Sequence, residues 1–251
     1  MPITFNEAFA IAPTAIGELA AEFVRRCDEC LEADKTSQPT ACMFLALRSV
    51  SLLLGMGKLM DAPTFDSWDV LARSFLESTD LLMTFRFDDE GARTKIRYWF
   101  AGKVDNSWKA DHQKCEDFIR RLGHGETEFG TRWSLMTTLS HPTLYAAENS
   151  AINVAAWVRK TEGSTEVMVN KVADYLTLLA KLIVITTFDL PGWIPLGFDL
   201  SRMPNADRFQ REWKTAVGPI HALNAEITLP DGRYRSASHK STKAARSNPG
   251  G

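Results

Sequence analysis

Arg73 and Glu77 stand four residues apart in Leu71-Ala72-Arg73-Ser74-Phe75-Leu76-Glu77, so on a helix their side chains meet. Asp80 follows one turn later. A guanidinium beside a carboxylate contributes little when both face water, but held in a partly buried strip it can orient an anion or a proton donor. Phe75, Leu76, Leu81 and Leu82 crowd this strip, which predicts the buried arrangement. His141, in Ser140-His141-Pro142-Thr143, is the third candidate. Turned inward, it would hydrogen-bond Glu77 or another polar core residue, giving a composite Arg73, Glu77 and His141 site for nuclease or other hydrolytic chemistry. The competing role is a helix cap, with Ser140 or His141 shielding free backbone N–H groups ahead of Pro142. The strained Gly-x-Ser-x-Gly elbow of serine hydrolases is absent.

Segment 71–77, followed by Leu139-Ser140-His141-Pro142, resembles a group of uncharacterised bacterial helical proteins. These carry an A-R-S-x-x-E helix and a later S-x-H or S-H-P element. They are similar to HEPN-type helical bundles, some of which are ribonucleases in toxin and defence systems. The resemblance spans about residues 41–149 and implies a helical bundle in a bacterial stress or defence setting. Catalytic HEPN ribonucleases place an Arg and a His at a short set spacing at the start of a helix. Here Arg120-x-x-x-His124 is too short, and Arg132, with eight residues before His141, is too long. The resemblance therefore implies a binding or catalytically degenerate member.

Two further groups invite chemistry. Arg93 and Arg97 share a helical face beside Tyr98, a combination able to contact phosphates and stack a base. The alternative uses Ile96, Trp99 and Phe100 as core and leaves the cations solvated. Cys27-x-x-Cys30 and His112-x-x-Cys115 have zinc-like spacing, but structural zinc needs about four converging ligands. Cys27 and Cys30 fall instead on an apolar helical stripe, where cysteine acts as a small hydrophobe. No metal is expected. No phosphate-cradling Gly-rich loop occurs, so no cofactor is expected either.

The elements that must position these residues are helical. Ile16, Leu19, Ala20, Phe23, Val24, Cys27, Cys30 and Leu31 recur at three- and four-residue steps, predicting a helix over 14–31 with Glu18, Glu22 and Arg25 around the stripe. Pro and small polar residues at 37–40 predict a break, then a helix over 41–60 stopping at Asp61-Ala62-Pro63. A third helix follows, capped by Thr64, with Trp68, Leu71, Phe75, Leu82 and Phe85 inward. A fourth starts at the acidic Asp88-Asp89-Glu90, suited to a helix N-terminus. Further helices are predicted over 107–122, 131–139, 142–159, 167–187 and 205–223, with a turn at 162–164. Pro191-Gly192-Trp193-Ile194-Pro195 predicts an aromatic-anchored loop. No two-residue alternation marks a strand. The fold class is all-α: a multi-helix bundle of about seven to nine helices in one domain, residues 1–225.

The chain has 251 residues, 45% of them hydrophobic, which excludes wholesale disorder. Its 29 basic and 31 acidic residues exclude a globally basic nucleic-acid binder. The balance is uneven, however. Residues 226–251 carry a net +3 and the remainder −5, so a flexible basic tail, with Arg235, Lys240, Lys243 and Arg246, follows a mildly acidic body. That tail can attract RNA or another polyanion in a salt-sensitive way. A homodimer through a Trp-rich surface is the other partner expectation. Four cysteines do not make a disulfide scaffold. Charges interrupt the apolar stretches 41–60 and 175–190, so no membrane span and a cytoplasmic location are expected.

Overall fold

Thr4 starts the bundle. Its hydroxyl accepts from the Glu7 N–H, and Glu7 Oε2 accepts from the Thr4 N–H at 2.8 Å, a capping box that satisfies free N–H groups at both positions. The computed structural model describes residues 2–60, 65–103, 112–115, 117, 147, 150, 151, 154, 155, 158, 159 and 162–224. Among them are α1 (Phe5–Ala33), α2 (Gln38–Leu59), α3 (Phe65–Arg86), α4 (Glu90–Phe100), α5 (Glu162–Thr187) and α6 (Pro204–Asn224). The described part is 83% helical and has no strand, as the periodicity predicts. Thr64 and residues 226–251 lie outside the described residues.

Three helix starts differ from the sequence expectation, for one physical reason. α1 begins nine residues early because the Thr4–Glu7 box nucleates it ahead of Pro13, which the helix carries inside. The predicted break at 37–40 is the beginning of α2: Ser37 caps it and Pro39 fits its first turn, where no N–H is needed. The predicted turn at 162–164 is the first turn of α5. Small and acidic residues are tolerated there because the first N–H groups lack helical partners and the dipole favours negative charge.

The α1 stripe also needs one exchange. Val24 points outward and Glu22 is buried, where it takes Arg25 and the Asp199 N–H. α2 and α3 run antiparallel: Gln38 Nε2 reaches the Phe85 and Phe87 carbonyls, Arg48 Nε reaches Ser78 Oγ, and Gly55 faces Leu71. α6 runs antiparallel to α1. Its exposed N-terminus is capped from a distance by Glu18, whose Oε2 accepts the Asn205 and Ala206 N–H groups at 3.0 and 3.2 Å. Phe209, Trp213 and Val217 form the buried face of α6, as predicted. Among the described residues, α2 is long and apolar enough by composition to cross a membrane, yet 56% of that apolar window is buried in the bundle.

Arg86 closes one end of the molecule. It is wholly buried, and Nη1 donates to the Ile185 and Phe188 carbonyls at 2.8 and 2.7 Å. Those are carbonyls at the C-terminal end of α5, which lack helical partners. Nη2 donates to Ile194 O and Asp189 Oδ1 at 2.9 and 3.0 Å, while the guanidinium lies 4.4 Å from the Trp193 ring centroid. Gly192, at φ +85°, makes the turn that brings Trp193 back, a conformation that side chains with a Cβ rarely adopt. The loop at 191–195 is thus anchored by its aromatic, as its sequence predicts.

Candidate functional site

α3 carries Asp69, Arg73, Asp80 and Thr84 into the bundle, all buried, with Glu77 at the rim of the same stripe. α5 faces it with Lys171, Asp174 and Lys181. Lys171 Nζ pairs with Asp69 Oδ1 and lies 4.4 Å from the Trp68 ring centroid. Lys181 Nζ pairs with Asp80 Oδ1 at 2.7 Å. The partners advance by eleven residues on α3 and ten on α5, in the same direction, so the two helices are parallel. The pairs are separated by roughly 15–16 Å along the helix axes.

Asp80 is the centre of the seam. Its second oxygen lies 2.6 Å from His112 Nδ1; an ionised carboxylate only accepts, so Nδ1 carries the hydrogen. His112 and Cys115 share one face of the helical stretch 112–115, and Cys115 Sγ donates to the Asp80 carbonyl at 3.2 Å. The His-x-x-Cys spacing is therefore a packing device that seats this stretch on α3. Burial pushes the Asp80 carboxyl up, but the Lys181 ammonium and the His112 hydrogen bond outweigh it and hold the group below the ordinary aspartate range. The carboxylate is accordingly charged and satisfied on both oxygens, the condition under which a buried ion is tolerated.

Arg73 and Glu77 meet as predicted, with Nε 2.7 Å from Oε1. The Arg73 side chain is 10% exposed and that of Glu77 44%, so the pair sits at the rim, guanidinium inward and carboxylate toward solvent. His141 lies outside the described residues.

Arg93, Arg97 and Tyr98 are all exposed on α4. Both guanidiniums are engaged by their own helix: Glu90 accepts from Arg93 at 3.1 Å and from Arg97 at 2.8 Å, and Asp88 takes Arg93 at 2.9 Å. Arg97 and Arg93 hold the Glu90 carboxyl down at about 2. Ile96 is core and Trp99 packs edge-on against Phe85, as the solvated-face alternative describes. Arg235, Lys240, Lys243 and Arg246 lie outside the described residues. Among the described residues no three His, Cys, Asp or Glu side chains group as metal ligands. Cys27 and Cys30 are buried on α1, and burial pushes both thiols up, so neither is an activated nucleophile.

Compared with protein-family models, curated proteins and solved structures, the chain matches none.

The sequence places Asp80 on the Arg73–Glu77 strip and offers His112 only as a metal-spaced partner of Cys115; neither pattern joins them to each other or to Lys181. One signal was present: Lys181 is a lone cation in the apolar run 175–187, and a lysine there requires a buried acid opposite it. Asp80, three residues beyond Glu77, was the acid at hand. What the arrangement does chemically is hold three helical segments in one alignment through a carboxylate shared by two donors.

Proposed function

We propose that this chain is a helical-bundle binding protein, catalytically degenerate in the sense of the HEPN-like resemblance, that acts in the cytoplasm in a bacterial stress or defence setting. The observation that carries this reading is the internal use of the polar seam. An acid–base catalyst presents a group to substrate, whereas Asp80 spends both oxygens on Lys181 and His112 inside the core. The partner is RNA or another polyanion, met by the basic tail. The α4 cations contribute little to it, because Glu90 and Asp88 already occupy them.

The test is affinity for a generic single-stranded RNA, with and without residues 233–251, across a salt series. The full chain is expected to bind with affinity falling as salt rises. The truncated chain, lacking five cations, is expected to lose most of that affinity and its salt slope. Unchanged affinity and slope on truncation would overturn the reading.

One observation favours a second reading, a hydrolase. Glu77 is half exposed at the rim beside a buried, oriented Arg73, a placement from which a carboxylate can reach a ligand. RNA cleavage by the full chain that is abolished in both Arg73→Ala and Glu77→Gln, with the fold intact by circular dichroism, would establish it over the binding reading.

A further inference from the structure

We draw no further inference here: the strongest candidate, the open groove along α1 floored by Gly17 and Ala21 and edged by Arg25 and Arg202, is a stripe of small residues whose flanking cations are already taken by Glu22 and Asp199, and among the described residues no buried, unpartnered polar group lines it to mark a ligand.

Discussion

Asp80 and Arg86 lie six residues apart on α3 and both carry charge into the core, yet the protein accommodates them by opposite means. Asp80 is met by opposite charge, from Lys181 on α5 and the hydrogen bond of His112. Arg86 is met chiefly by neutral backbone: the Ile185, Phe188 and Ile194 carbonyls take its donors, and Asp189 adds an acceptor that is itself largely exposed. A side-chain pair can be replaced as a unit, whereas backbone carbonyls cannot be mutated away. The seam is thus a matter of matched choices, and the clamp is a fixed demand of the helix end it serves.

The largest effect is expected at the clamp. Arg86→Met strands carbonyls that the helix cannot satisfy itself, costing about 3–5 kcal/mol and lowering Tm by roughly 6–20 °C in a chain of this size. Arg86→Lys is expected to recover only part of this, since one ammonium cannot span a fork of carbonyls. Thermal unfolding followed by circular dichroism measures both. Recovery to wild-type stability by lysine would show the fork geometry to be unnecessary.

At the seam, Lys181→Met alone is expected to cost about 3 kcal/mol or more by leaving Asp80 short of its counter-charge. Adding Asp80→Asn to Lys181→Met should restore much of the loss, because the buried charge goes with its partner. A double variant as unstable as the sum of the two singles would remove the pairing argument. The same logic predicts that no second substitution rescues Arg86→Met.

Acid titration separates the two sites further. The folded-state pKa of Asp80 is depressed, so its contribution is fully present above the ordinary aspartate value and is lost as pH falls through the lower, folded one. Unfolding free energy measured from pH 5 down to 2 should therefore decline, and Asp80→Asn should flatten part of that decline. Arg86→Met should leave the slope in place, because its main partners are carbonyls that do not titrate.

A smaller effect is expected where a carboxylate serves backbone on the other side of the molecule. Glu18→Gln keeps one acceptor for the α6 N-terminus but removes the charge that complements its dipole, costing about 0.5–1 kcal/mol in urea unfolding. Arg93→Ala, on the exposed face of α4, should change stability by less than about 0.5 kcal/mol.

The helical architecture was legible because apolar residues at three- and four-residue steps report burial directly, as with Phe209, Trp213 and Val217. Helix starts were less so: capping depends on one side chain meeting one backbone group, and Thr4 with Glu7 looks like any polar pair until Pro13 is seen to be tolerated. The Arg73–Glu77 pair was readable because both partners lie on one helix. Asp80 with Lys181 was not, because its partners are 101 residues apart and only the packing of α5 along α3 brings them together. The same holds for Glu18 and the start of α6, where a residue that belongs to a solvated face by its own helix's period is claimed by another helix.

The parallel setting of α3 and α5 has a consequence for how the chain assembles. Parallel neighbours cannot be joined by a short turn, and nearly the whole middle of the sequence separates these two. Such long-range closure is slow relative to the α2–α3 hairpin, whose contacts are local. On a ribosome, Asp69 and Asp80 emerge well before Lys171 and Lys181 exist, so the first three helices must wait with acidic groups facing what will become their core. Those carboxylates keep the unfinished face wet and unattractive to other nascent chains until the matching helix arrives, a form of protection against premature association.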